Sequence, residues 1–422
     1  MASHFADNSD DRVDVNLTPG TQATTPVIPR IDDADDDLPQ AVTSDVQLGG
    51  AAQCLISSYD RENLTRVRRK RRSGKRAVLI GLGIVALSIA LVSGLFAYWV
   101  STLDRTMRMD PEENRALVES LTAPNGGVPA NEMDPFYVLI VGSDARETVA
   151  GARGDVMILA RVDAKNGVVH LVSIPRDTIV IADGGREMKI NASFAYGGAS
   201  GAVKYVSEFA GVPISHYVEI DFEGLVSVID ALGGVWVDVP EAFSARGYSF
   251  DAGPQLLDGE QALVYARERY SFSGGDFTRA QSQRQIVKGV IDKVLQASPA
   301  DIPGIVQELA GMVTTDYHVT ELVKLALAFR ESGVTLYSSV CPSYAFWKDD
   351  VSYVGTMHAE WQDMMRRVDA GLDPNDTTQT IPEPQASSTT LGAATNSGSP
   401  EDYQELADSS ALTTDDVNTP AG

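Results

Sequence analysis

Residues 77–100 read AVLIGLGIVALSIALVSGLFAYWV, an apolar run that no charge interrupts. At about 1.5 Å rise per residue, a helix of this length crosses a hydrocarbon core of about 30 Å. Tyr98 and Trp99 close it, where amphipathic rings favour the membrane interface. Directly before it comes the basic run RVRRKRRSGKR, residues 66–76. Positive charge is retained on the cytoplasmic side, so the N-terminus is expected inside and everything after residue 100 outside. A cleavable signal peptide would start much nearer the N-terminus and have a shorter apolar core. The basic run is a topology signal that touches anionic lipid.

The span divides the chain into parts. Residues 1–65 contain the acidic stretch IDDADDDL amid Pro, Thr and Ser. Residues 371–422 are mostly Thr, Ser, Asn, Pro and acids. Neither end has the apolar periodicity that offsets ordering entropy, so both are expected to be disordered. Residues 101–132 are expected to be a stalk and residues 133–370 an extracellular domain. The formal net charge of -24 argues against nucleic acid as a partner, because such binding rests on Lys and Arg neutralising phosphates. Cys54 and Cys341 fall on opposite sides of the membrane and are not expected to pair, and no zinc ligand set is visible.

Within the domain, FYVLIVG (136–142), VMILARV (156–162) and VVHLVSI (168–174) read as buried strands, the last two joined by the turn DAKNG. A fourth strand begins at 177–182, and short strands are expected at 216–221, 235–239 and 334–339. Helices are expected at 198–211, 222–232, from Asp258, at 277–296, 301–313 and 320–331. Asp258 and Gln261 have capping-box spacing. The fold class is therefore α/β: a mixed sheet flanked by helices, in one domain.

The chemistry collects at one edge of that sheet. If the first two strands pair, the loop SDARETVAGARG (143–154) returns to the edge it left, bringing Asp144 and Asp155 together, and the third strand delivers Arg176 to the same edge. Carboxylates suit a hard cation such as Mg²⁺, and excess arginine suits phosphate. The stretch YARERYSFSGGDFTRAQSQRQ (265–285) adds Arg267, Arg269, Arg279 and Arg284 without a lysine. Asp276 is placed to cap the next helix, and Arg279 and Gln283 share one face of it. A helix N-terminus carrying arginine favours an anion, and the planar arginine fork binds phosphate bidentately. The bland alternative makes Arg267 and Arg269 surface charges paired with Glu260 and Glu268. His170 and His216 sit in or beside strands and read as structural.

Taken together and in order, VGSDAR, RGDVMIL, SIPRD, KINASFAYGG, LDGEQALVYARER and DFTR…Q resemble the LytR-CpsA-Psr (LCP) family, over core motifs at 137–294. The resemblance implies a phosphotransferase on the outer face of the membrane of Gram-positive-type bacteria. Such enzymes move a glycopolymer (teichoic acid, capsule or a related wall polysaccharide) from a polyprenyl-pyrophosphate carrier onto peptidoglycan. It implies Mg²⁺ on Asp144 and Asp155, and pyrophosphate gripped by Arg153, Arg176, Arg267, Arg269, Arg279 and Gln283, with Asp155, Arg176 and Arg279 as the catalytic set. Two departures stand out: Gly154 precedes the second Asp, and Ser282 occupies a position that is often Arg, with Arg284 as a possible substitute. The alternatives are a polyprenyl-pyrophosphate pyrophosphatase and a non-catalytic envelope regulator or binding protein.

Overall fold

The computed structural model describes residues 50–122, 134–143, 154–272, 274–298 and 301–399, with side chains from residue 79 onward. Asp144, Arg146 and Arg153 lie outside the described residues. The chain divides into two units, Met1–Ile84 and Val85–Gly422.

Helix α1 (Gly50–Met107) contains the apolar run, and its large apolar side chains from Leu79 to Phe96 are exposed. Among the described residues it is the one helix long and apolar enough to cross a membrane. It starts at Gly50, so residues 50–65, expected to be disordered, are helical. The expected stalk is also structured where it is described. Leu103 and Met107, one turn apart on α1, are buried. Helix α2 (Pro111–Ser120) is capped by Asp110, which accepts from the Glu112 N–H at 3.0 Å, and it sinks Leu117 into the main core. With so few apolar anchors, neither segment shows a periodic stripe in the sequence.

Strands β1 (Phe136–Ser143), β2 (Gly154–Asp163) and β3 (Val168–Ser173) form the expected antiparallel meander. Its second turn is held by Asp163, which accepts from the Asn166 backbone N–H (3.0 Å) and side-chain amide (2.9 Å). The hairpin β4 (Ile179–Ile181) and β5 (Glu187–Lys189) leads into α3 (Ala192–Ala210). That helix begins six residues before the expected 198, because Gly198, at φ 56° and ψ −150°, kinks it without ending it. Strand β6 (Ile214–Asp221) then runs parallel to β1.

A satellite region follows, made of α4 (Phe222–Ala231), β7 (Val235–Val239), β8 (Phe243–Ala245), β9 (Tyr248–Phe250), β10 (Gly253–Leu257) and α5 (Gly259–Arg267). Asp258 and Gln261 form the expected capping box on α5. The chain continues through α6 (Gly275–Gln296), α7 (Ile302–Ala310), β11 (Val313–Thr315), α8 (Val319–Ser332), β12 (Thr335–Val340), the hairpin β13 (Ser343–Lys348) and β14 (Val351–Thr356), α9 (His358–Asp369) and α10 (Glu383–Ala386).

The central sheet has the order β11-β6-β1-β2-β3-β12 and mixes parallel and antiparallel pairs. Alternate residues serve alternate faces. Tyr137, Leu139 and Val141 join a core with α2, α3 and α9, whereas Phe136 and Val138 join a second core with α6 and α8. Both faces being covered, the strands read as near-continuous apolar runs.

Residues 371–399 correct the expected C-terminal tail. Leu391 and Ala394 are buried in the main core. Gly392 N–H donates to Ala210 C=O (2.8 Å), and Ile181 N–H to Asn396 C=O (2.8 Å). The segment docks on Gly211, which ends α3 at φ 66°, where a Cβ would stand 1.7 Å from Thr390 O. Backbone bonds and two small anchors hold it, which composition alone does not reveal. Cys341 is a free, buried thiol, and burial pushes its pKa up.

Candidate functional site

Ser143, the last residue of β1, pairs with Gly154, the first of β2, and the end of β3 lies beside them through the bond from Ile174 N–H to Met157 C=O (2.9 Å). Asp155 and Arg176 are thereby neighbours, and Arg176 Nη1 donates to Asp155 Oδ1 at 2.6 Å. Asp177 takes Lys189 of β5 at 3.1 Å and lies 4.0 Å from Arg176 Nε. From the other side comes the first turn of α6, where Arg279 Nη2 donates to Asp276 Oδ2 (2.8 Å) and Arg269 Nη1 stands 3.9 Å from Asp276 Oδ1. One cleft is lined by Asp155, Ser173, Arg176, Asp276, Arg279 and Gln283.

Charge and burial together shift the two arginines of this cleft in opposite directions. Burial, the largest influence, lowers the pKa of Arg279, and the positive charges of Arg176 and Arg269 push the same way against Asp276 and Asp155. Burial also opposes the charge on Arg176, but Asp155, and then Asp177 and Asp276, outweigh it and raise its pKa. Arg176 Nε is buried and has no hydrogen-bond partner among the described residues. A buried donor without a partner is costly, and a phosphate oxygen would satisfy it.

The sequence-predicted residues divide into three groups. Asp155, Arg176, Arg279 and Gln283 line one cleft, and Arg269 joins them through Asp276. Gln283 also donates to Ala266 C=O (3.1 Å), tying α6 to α5. Arg267 does not line this cleft; its guanidinium carbon stands 4.4 Å from the centroid of the ring of Phe222, the first residue of α4. Asp144 and Arg153 fall outside the described residues. Glu268 accepts the backbone N–H groups of Arg269, Tyr270 and Ser271.

Two corrections concern α6. Its N-cap is Gly274, not Asp276, which instead orients Arg279 and Arg269. The i, i+3 spacing of Asp276 and Arg279 carried that signal. Arg284 does not line the cleft; it turns to the sheet, donating to Ser173 Oγ and Ser338 Oγ. Ser282 is fully buried, with its hydroxyl on Thr278 C=O (3.1 Å).

For a hard cation the donor chemistry fits at Asp155, whose carboxylate is 26% exposed and has one oxygen engaged by Arg176. Mg²⁺ commonly takes one or two carboxylates and completes its shell with phosphate oxygens and water. Among the described residues no group of three or more His, Cys, Asp or Glu gathers as a metal site.

The class so defined is an α/β domain that converges arginines and carboxylates at one sheet edge and follows a helix long and apolar enough to cross a membrane. The chain belongs to the LytR_cpsA_psr family, whose model matches residues 99–369. It is 33% identical over 288 residues to the Enterococcus faecalis polyisoprenyl-teichoic acid–peptidoglycan teichoic acid transferase TagU, covering 66% of this chain and 92% of that one. The Halalkalibacterium halodurans protein of the same name is 35% identical over 267 residues, covering 61% of this chain and 84% of that one. The crystal structure of protein gbs0355 from Streptococcus agalactiae superposes with a TM-score of 0.55 at 25% identity, covering 65% of this chain and 96% of that one.

Proposed function

We propose that this protein transfers a teichoic acid or related glycopolymer from a polyprenyl-pyrophosphate carrier to peptidoglycan, with its domain outside the membrane and its N-terminus in the cytoplasm. The observation that carries this is the cleft in which Asp155–Arg176 faces Asp276–Arg279, with Arg176 Nε buried and without a hydrogen-bond partner among the described residues. The names of the relatives supply the substrate class, and the basic run at residues 66–76 supplies the orientation.

In this reading Arg176 and Arg279 grip the pyrophosphate from two directions, and Arg269 adds charge from the rim. Asp276 holds the two α6-side arginines before substrate arrives, so little reorganisation is needed as charge develops. An acceptor sugar hydroxyl displaces the polyprenyl phosphate in line, forming a phosphodiester; the protein's work is positioning and charge stabilisation. Asp155, with Asp144 as the second carboxylate named by the sequence, would hold Mg²⁺. When bound, the ion supplies charge neutralisation at the phosphate oxygens.

The test is to give the full chain in detergent a lipid-linked donor, peptidoglycan and Mg²⁺, and to look for the joined product by mass. Asp155→Ala and Arg176→Ala are expected to abolish the product while retaining the wild-type circular dichroism spectrum, and EDTA is expected to abolish it for the wild type. Unchanged attachment by Asp155→Ala overturns the assignment. Release of polyprenyl phosphate without any joined product would make water the acceptor instead.

A further inference from the structure

A second, larger cleft of about 640 Å³ lies away from the arginines. One wall is the β4–β5 hairpin with its turn, the other is a face of α3 running from Ser193 to Glu208, and Ser120 at the end of α2 contributes to the lining. Tyr196 stands on its rim with 73% of its surface exposed. The Arg186 guanidinium carbon lies 5.2 Å from the Tyr196 ring centroid. At its solvent-exposed edge, Lys204 donates to Asp183 (2.6 Å), and the Asp183 N–H donates to the Tyr205 hydroxyl (3.0 Å).

The chemistry of the lining narrows the ligand. Arg186 and Lys204 are balanced by Asp183 and Glu208, so the cleft has no excess of positive charge with which to hold a phosphate. Charged, hydroxyl and aromatic side chains dominate it, which does not suit a prenyl tail. An exposed aromatic ring beside planar, hydrogen-bonding charged groups suits a neutral, polyhydroxylated ring. The apolar C–H face of a sugar packs on the aromatic, and its hydroxyls meet the polar groups.

The backbone links this cleft to the site already described. The kink at Gly198 sets the first turn of α3 apart from the rest of the helix. Before the kink, Asn191 N–H donates to Arg176 C=O (3.1 Å), and a Cβ on Gly154 would lie 3.6 Å from Phe194 Cβ. The same turn offers Ser193, Tyr196 and Gly197 to the larger cleft. The turn therefore touches Gly154 and the backbone of Arg176 on one side and lines the larger cleft on the other.

We propose that the cleft between the β4–β5 hairpin and α3 is a saccharide subsite that seats an uncharged stretch of glycan chain while the phosphate chemistry proceeds next door. This rests on the transferase reading above. The glycan belongs either to the peptidoglycan acceptor or to the polymer being transferred, and the two sources are separable by experiment.

Tyr196→Ala removes the platform. Gly197→Leu fills the cleft, because a Cβ there meets nothing within 4 Å. In the full chain, each is expected to raise KM for one glycan substrate about fivefold to tenfold, with kcat and the other KM within about twofold. Soluble uncrosslinked peptidoglycan strands as the affected substrate assign the cleft to the acceptor, and the lipid-linked polymer assigns it to the donor. If neither KM moves in Tyr196→Ala, the proposal is overturned, whether or not Gly197→Leu folds. Calorimetric titration with the same strands and with detergent-dispersed donor separates the two readings. Saccharide binding that Tyr196→Ala weakens, in a protein that forms no product, sustains the subsite and removes the transferase. Product formation with binding unchanged in the variant does the reverse.

Discussion

Arg284 donates from Nη1 to Ser173 Oγ at 2.8 Å and from Nε to Ser338 Oγ at 2.7 Å, so one buried guanidinium joins α6 to β3 and β12. Burial pushes its pKa down to about 9. Arg176 follows Ser173 by three residues, and Arg279 precedes Arg284 by five. The bridge therefore fixes the two halves of the arginine cleft against each other. It answers the question raised by Ser282: Arg284 stands behind the cleft and positions it from there.

Lysine has its donors on one nitrogen and lacks the planar fork that reaches the two hydroxyls from Nε and Nη1, and each bond to a charged donor contributes about 1.5–3 kcal/mol. Arg284→Lys is expected to lower thermal stability by a loss of that order. Arg284→Met, which removes the buried charge along with its bonds, is expected to unfold at a higher temperature than Arg284→Lys. Both are expected to lose about tenfold in kcat/KM for transfer, since misalignment of phosphate-binding groups is costly in rate. Denaturation curves and product yields read the two effects separately. Wild-type turnover by Arg284→Met would mean that the bridge does not align the cleft.

A second tie fixes the end of the apolar helix. Asp104 on α1 accepts from the Val319 N–H (2.8 Å) at the start of α8, and its other oxygen lies 3.2 Å from His318 Nδ1. Arg108 Nη2 lies 2.9 Å from His318 Nε2. Leu103 and Met107 pack with Ala310 of α7 and Val319 of α8. Asp104 thus caps a helix distant in sequence. Asp104→Ala is expected to cost about 1 kcal/mol, as loss of a helix cap does. It is also expected to speed hydrogen exchange at residues 103–107 and proteolysis near residue 108. Exchange unchanged there would show that the apolar contacts hold the helix without the cap.

Much of this molecule is legible in the sequence because its signals are local. The β1–β2–β3 meander follows from three apolar runs and one turn, and the α5 capping box from the spacing of Asp258 and Gln261. Asp155 and Arg176 meet because antiparallel pairing returns both strands to one edge. What stays hidden depends on contacts between distant segments. Leu117 is a single apolar anchor on a polar helix, and it reads as stalk. Leu391 and Ala394 sit in a stretch whose order comes from backbone bonds to α3. Asp276 has the composition of a cap, and only the observed Gly274 start of α6 frees it to hold two arginines. Arg284 looks like one more phosphate ligand until Ser173 and Ser338, far apart in sequence, are placed beside it.

His170 links the sheet to that C-terminal stretch, and it makes stability depend on pH. The ring is fully buried on β3, and Nε2 donates to Leu372 C=O at 2.8 Å. Nδ1 is buried without a partner among the described residues. Burial, the largest influence, lowers the His170 pKa from 6.5 to about 4, and Arg161 pushes the same way against the Leu372 bond, Asp373 and Asp163. A depressed histidine pKa means that the unfolded chain binds the proton more readily. The stability associated with neutral His170 is therefore complete above about pH 6.5 and is lost progressively as pH falls towards 4, a change of about 3 kcal/mol at most. His170→Gln cannot titrate, and its amide can still donate to Leu372. It is expected to be less stable than the wild type at pH 7.5, and to lose less of its melting temperature between pH 7.5 and pH 5.0. Carboxylates elsewhere, including the half-buried Glu219 whose pKa is raised, are common to both proteins and cancel in the comparison. Equal slopes for the two proteins would remove His170 as the source of the acid sensitivity.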